Sequence, residues 1–303
     1  QYMRETYGVS NEKTALAITI ANREKALLQD LDYENGYSLY VGIPFCPSIC
    51  LYCSFGSHPL ERWTKRVDEY LDALCKEMTF IREEMGERKL TTVYIGGGTP
   101  TTLEPEQLRR LLSHIQTTFD FTWVKEYTVE AGRPDSITRE KLQVMKEFPV
   151  TRISVNPQTM NQKTLDVIGR KHTVEDTVNI FHMARELGFD NINMDLIIGL
   201  PGEGKEEVAH TLQKVENLHP DSLTIHSLAL KRATRLNLFK DKYEEMSFEN
   251  SQEIMEMTQQ CARNMGMGPY YLYRQKNIAG NFENVGYAEV DKAGIYNILI
   301  MEE

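Results

Sequence analysis

Cys46, Cys50 and Cys53, three of the chain's five cysteines, fall in the stretch "YVGIPFCPSICLYCSF". Thiolates are soft ligands, and three on one turn-rich loop suit zinc or an iron–sulfur cluster. A structural zinc site normally takes a fourth ligand from a second knuckle. Cys75 and Cys261 fall inside helical patterns, and His58 follows Cys53 too closely to make a convincing one. Three cysteines alone leave one iron of a four-iron cluster open, able to bind and activate a ligand. By spacing alone, zinc and three ordinary core cysteines remain alternatives.

Other residues of chemical interest follow strand-like runs. Gly96, Gly97 and Gly98 in "YIGGGTP" allow close approach of backbone to a ligand, or simply a tight turn. No Gly-Lys-Ser/Thr follows, so this is not a nucleotide P-loop. Glu130 ends "YTVEAG", where a carboxylate can compensate a cation or merely face water. Asp195 interrupts the apolar run "NINMDLIIGL", a costly position if it is buried and unpaired. Arg152 opens another strand and reads as well as a structural ion pair. His172 and His226 read as packing or hydrogen-bonding residues rather than general bases.

These residues need a scaffold. The chain has 303 residues, 41% hydrophobic and 26% charged, enough for a sizeable core without disulfides. Asp and Glu (44) outnumber Lys and Arg (34), giving a formal charge of -10 and an awkward surface for nucleic acid. No apolar run reaches membrane-spanning length and no export signal opens the chain, so a cytoplasmic protein is expected. Gln1 at the start and the strand-like "GIYNILIMEE" at the end read as the edges of a trimmed piece of a longer protein.

Strand and helix patterns alternate six times between 38 and 268, for example "LTTVYIGG" before "EPEQLRRLLSHIQTTF". Such alternation signals parallel strands joined by right-handed crossovers. Polar and glycine-rich segments recur after the strands, which favours an α/β, incomplete (β/α)6 barrel over an open doubly wound sheet. Residues 1–37 read as a lead-in helix or linker, 38–268 as the partial barrel, and 269–303 as a long C-terminal loop and edge strand.

The cysteine spacing after a first strand resembles the radical SAM superfamily. The blocks "YVGIPFCPSICLYCSF", "YIGGGTPTTL", "EYTVEAGRPDSIT", "TRISVNPQTMNQKTLDVIGRKHT" and "NINMDLIIGLPGE" are similar, in order, to its oxygen-independent coproporphyrinogen III oxidase group, nearest the HemZ-type branch. The resemblance implies a [4Fe-4S] cluster on Cys46, Cys50 and Cys53. It also implies S-adenosylmethionine on the open iron, cleaved by one electron to methionine and a 5'-deoxyadenosyl radical. The cofactor site carries over to Tyr40, Tyr52, Phe55, Gly97, Gly98, Thr99, Glu130, Gln158, Arg170, Asp195, Ile198 and Ala229. Among these, the glycine segment meets the amino group and Arg170 clamps the carboxylate. Gln158 and Asp195 bind ribose hydroxyls, while Ile198 and Ala229 border adenine.

The implied partners are a porphyrinogen or haem and a reductant such as flavodoxin or ferredoxin, with the protein a monomer. The basic residues Lys231, Arg232, Arg235, Arg274 and Lys276 would meet propionates, and Tyr270, Tyr271 and Tyr273 a flat macrocycle. The group's decarboxylating enzymes carry a fourth cysteine where this chain has Phe55. Relatives without it include haem chaperones, and others cleave the haem ring. The reading of 269–303 becomes the start of a truncated substrate-binding region.

Overall fold

The computed structural model describes residues 1–302 apart from Tyr33, 55–57, 233, 240–242, 244–245, 247 and 277. Its main sheet begins with β1 (Gly36–Ile43), β2 (Lys89–Gly97), β3 (Glu126–Gly132), β4 (Arg152–Gln158), β5 (Ile192–Ile198) and β6 (Ser222–Ser227). These lie side by side in chain order, all parallel. Two further strands, β7 (Gly268–Tyr273) and β8 (Asn284–Ala288), form an antiparallel hairpin. β8 joins the sheet antiparallel to β6, leaving β7 at the edge. The curled sheet is a half-barrel, the expected incomplete (β/α)6 barrel with added strands.

The two strand faces follow the period of two in the side chains. On one face Val93, Ile95, Val129, Ile153, Val155, Met194, Leu196, Leu223 and Ile225 are fully buried in a layer shared with the helices. The helix Pro105–Thr118 shows how a crossover is built. A Glu104–Gln107 capping box and Pro105 start it, and Leu108, Leu111, Leu112 and Ile115 form one apolar stripe with no exposure. Burying each such leucine contributes about 1.5–3 kcal/mol.

The other face is polar yet also buried. The Thr92 hydroxyl donates to Ser38 at 2.7 Å, the Asn193 amide to Ser154 at 2.9 Å, and the Ser222 and Thr224 hydroxyls to Asn193 at 3.1 and 3.2 Å. Hydrogen bonds between neighbouring strands thus pair these side chains, as burial requires.

The C-terminal segment supplies the expected edge strand in β7, but its final apolar run differs from the strand-like reading. β7 and β8 occupy its first part, and the apolar run at the end is a helix, Ile295–Glu302. Tyr296 and Ile298 are buried, whereas Ile300 is exposed. Tertiary packing decides this: Tyr296 stacks on Tyr94 at 4.6 Å, and the Ile295 and Tyr296 amides donate to the buried Glu126 carboxylate. At the other end, Arg23 of the helix Asn11–Leu28 donates to the carbonyls of Ala288 (2.9 Å) and Glu289 (3.0 Å), tying that helix to the hairpin. Among the described residues, no helix is long and apolar enough to cross a membrane.

Candidate functional site

A cavity of about 340 Å³ lies where the parallel strands end. Its wall includes thirteen of the fifteen residues expected at the site: Tyr40, Cys46, Cys50, Tyr52, Cys53, Gly97, Gly98, Thr99, Glu130, Gln158, Arg170, Asp195 and Ala229. Ile198 is not on the wall; it is 2% exposed in the apolar layer, and Ile197 lines the cavity instead. Phe55 lies outside the described residues.

The cysteine loop leaves β1 at Pro44 and is tied down on both sides. The Leu51 amide donates to the Ile168 carbonyl at 2.9 Å, and the Ser48 hydroxyl to the Gly169 carbonyl at 3.0 Å. The Leu236 amide donates to the Leu51 carbonyl at 3.0 Å. Behind the loop, a Cβ at Gly98 would stand 2.6 Å from the Phe45 carbonyl oxygen and 3.0 Å from Cys46 Sγ, so only glycine fits. The Thr99 hydroxyl lies 3.6 Å from the same sulfur. Among the described residues the three cysteines form no disulfide; all line the cavity, with Cys46 and Cys50 buried. Among the described residues, no three His, Cys, Asp or Glu side chains are gathered as a finished metal cage. His58 is exposed and packs on Trp63, Cys75 is half-buried in the helix Val67–Met85, and Cys261 is buried in the helix Gln252–Asn264. None of the three lines the cavity.

Charged groups also line the cavity. Burial pushes the Glu130 carboxyl up to about 7, against the pull of a 2.5 Å hydrogen bond from Tyr94. Asp195 behaves oppositely. Burial would raise it, but His226 Nε2 at 3.8 Å and the Asn193 amide at 2.7 Å hold it below the usual carboxylate range. Arg170 is held above its ordinary range: burial opposes its charge, and Tyr52 and Cys50 more than offset that. Its Nη2 donates to Tyr52 at 3.2 Å and its Nη1 to the Asn156 carbonyl.

Two buried polar atoms at the wall, Arg170 Nε and Gln158 Oε1, have no hydrogen-bond partner among the described residues. Gln158 also holds a positive φ of 69°, a strained conformation of the kind that clusters at ligand sites. A carboxylate could accept from the first and a hydroxyl donate to the second. These two atoms fit an amino-acid nucleoside in the cavity, and the three thiols on its wall would be soft ligands for a cluster beside it.

Other expectations fare differently. Lys231 and Tyr273 line the cavity, but Tyr270 and Tyr271 are buried in a separate apolar cluster with Leu28 and Ile298. They are not placed to cover a macrocycle. Arg232, Arg235, Arg274 and Lys276 are exposed and off the wall. Arg152 is 1% exposed, with Nη2 3.3 Å from the Ser222 hydroxyl. His172 is buried, and burial and then Arg170 push it down to about 4. His226 faces the cavity as a hydrogen-bonding residue, with Nδ1 3.3 Å from the Tyr273 hydroxyl. Sequence reasoning passed over Tyr94 and Arg133. Tyr94 is legible only once the register sets it on the Glu130 side, and Arg133 lies in "GRPD" with no periodic signal.

A half-barrel of parallel strands with a three-cysteine loop at their C-terminal ends defines the class. The radical SAM superfamily model matches residues 40–215, and the chain belongs to that superfamily. It is 45% identical over 305 aligned residues to the oxygen-independent coproporphyrinogen-III oxidase-like protein HemZ of Bacillus subtilis, covering 99% of this chain and 61% of that protein. It is 39% identical over 198 residues to the heme chaperone HemW of the same organism, covering 65% of this chain and 52% of the other. Its fold matches the coproporphyrinogen III oxidase HemN of Escherichia coli, described as a radical SAM enzyme, with a TM-score of 0.71 and 28% identity, over 88% of this chain and 58% of that one. The chain thus spans less than two thirds of each of these relatives.

Proposed function

We propose that this chain is the cofactor-binding core of an anaerobic enzyme that oxidatively decarboxylates two propionates of coproporphyrinogen III, giving protoporphyrinogen IX. The observation that carries the proposal is the meeting of Cys46, Cys50 and Cys53 with Glu130, Gln158, Arg170 and Asp195 around one cavity. When bound, a [4Fe-4S] cluster and S-adenosylmethionine supply the one-electron chemistry and hydrogen-atom abstraction that the reaction needs.

In this reading the three cysteines hold the cluster. Gly97, Gly98, Thr99 and Glu130 receive the cofactor's amino group, and a nearby cation favours the ionised Glu130. Arg170 offers its free Nε to the carboxylate. Gln158 and Asp195 take the ribose hydroxyls, Asp195 arriving already charged. Tyr40, Tyr52 and Ala229 complete the cofactor's surroundings, with Ile197 on the wall in place of Ile198. Lys231 is the cation on the wall suited to a propionate. Residues 38–268 form the cofactor-binding barrel, 1–37 its lead-in, and 269–303 the start of the substrate-binding region. A flavodoxin or ferredoxin is the reductant, and the protein works as a cytoplasmic monomer.

The test uses full-length protein with reduced cluster, S-adenosylmethionine and coproporphyrinogen III without oxygen. Mass spectrometry should show loss of two CO2 equivalents, with methionine and 5'-deoxyadenosine formed alongside. A second reading, a haem chaperone, is favoured by Phe55 at the fourth-cysteine position and by the similarity to HemW. Tight haem binding with no turnover of the porphyrinogen supports the chaperone, and a linearised tetrapyrrole from haem supports ring cleavage.

A further inference from the structure

Arg133 stands directly after β3 and has only 3% of its surface exposed. A buried guanidinium must place its donors well or carry a large desolvation cost. Here Nε and Nη2 form a paired contact with Asp135, at 3.0 and 2.8 Å. Nη1 turns to the cysteine loop instead. It lies 3.0 Å from the Ser48 carbonyl, 2.8 Å from the Ser48 hydroxyl and 3.7 Å from Cys50 Sγ. Asp135 thus aims the guanidinium, and the guanidinium grips the loop between the first two cysteines.

Arg170 makes a useful contrast. It also neighbours Cys50, but its Nε has no partner among the described residues, which leaves it a donor for a ligand. Arg133 directs each of its three nitrogens to protein atoms. The two arginines beside one sulfur therefore divide two tasks, one facing the ligand and one facing the loop.

We propose that Arg133 is a positioning residue for the iron–sulfur site: with Asp135 it fixes the loop at Ser48 and donates to the Cys50 sulfur. This rests on the cluster reading above. A donor and positive charge at a ligand sulfur stabilise the more negative, reduced cluster, so they raise its reduction potential. Partners of this kind also hold ligands in place, and losing one typically costs 10–100-fold in metal affinity.

The test compares full-length wild type with Arg133→Gln, Arg133→Lys and Asp135→Asn, all reconstituted without oxygen. Circular dichroism first confirms that each variant is folded. The readouts are the midpoint potential by EPR-monitored titration and the rate of iron loss to a chelator. Arg133→Gln should shift the midpoint to more negative values and speed iron loss about 10-fold or more. Arg133→Lys should recover part of the potential but little of the grip, since a point charge lacks the fork. Asp135→Asn should speed iron loss while leaving the positive charge in place. Folded Arg133 variants with wild-type potential and wild-type iron retention overturn the proposal and leave the cluster reading standing. A wild-type protein that takes up zinc and no iron overturns both. If Arg133→Gln does not fold, Asp135→Asn and Arg133→Lys decide the matter by the same readouts.

Discussion

The Tyr94 hydroxyl donates a 2.5 Å hydrogen bond to the Glu130 carboxylate across the paired strands β2 and β3. It sits between two opposed effects. Burial pushes Glu130 up to about 7, and the Tyr94 bond pulls it back. Between the ordinary carboxylate value of 4.5 and about 7, the folded chain keeps this proton longer than the unfolded chain does. Its stability contribution is therefore complete below 4.5 and is lost as pH rises toward 7. Because the cavity admits some water, the loss amounts to about 1–3 kcal/mol. Thermal melts from pH 4.5 to 8 should show a shallower decline for Glu130→Gln than for wild type. Tyr94→Phe should move the decline to higher pH; identical profiles for all three proteins would contradict this account.

The cysteine loop depends on a missing side chain as well as on its thiols. Gly98→Ala would drive a Cβ into the Phe45 carbonyl and Cys46 Sγ, costing about 1–3 kcal/mol and displacing the sulfur. Iron content after anaerobic reconstitution should fall well below the wild-type four irons expected for this cluster type. Cys50→Ala should abolish the EPR signal of the reduced cluster altogether. Full iron loading of either variant would separate the loop from the cluster.

Asp195→Asn and Arg170→Ala should weaken S-adenosylmethionine binding by about 1–3 kcal/mol each while the cluster still assembles. In the proposed site both residues would act through charge and hydrogen bonds beyond the iron ligands. Calorimetry on reconstituted protein measures this. Unchanged affinity in both variants would remove them from the site.

The C-terminal helix earns its place by packing. Tyr296 stacks on Tyr94 at 4.6 Å and on Tyr40 at 6.0 Å, closing one side of the half-barrel. Tyr296→Ala should destabilise the chain by about 3–5 kcal/mol in urea unfolding, with a lowered midpoint. A change below about 1 kcal/mol would mean that the helix is only loosely attached.

Much of the frame was legible beforehand because it is locally encoded. Alternating strand and helix periods, with capping signals such as Glu104-Pro105 before an apolar stripe, specify parallel crossovers whatever surrounds them. The cysteine spacing marked the loop, a place near a strand end marked Glu130, an interrupted apolar run marked Asp195, and the family resemblance marked Gln158. Three-dimensional packing alone decided the rest. The end run Ile295–Glu302 has no strong local preference, and became helix because Tyr296 finds the Tyr94 ring and its amide finds Glu126. Tyr270 and Tyr271 look like ligand-binding aromatics in sequence, yet the hairpin register turns them into the core. Arg133 meets Ser48 and Cys50 across 85 and 83 positions of chain, a distance at which no periodicity operates. Residue type and spacing determined which chemistry this chain could hold; only the closing of the sheet determined which charges face one another across the cavity, because charge interactions depend on separation and burial that exist only after folding.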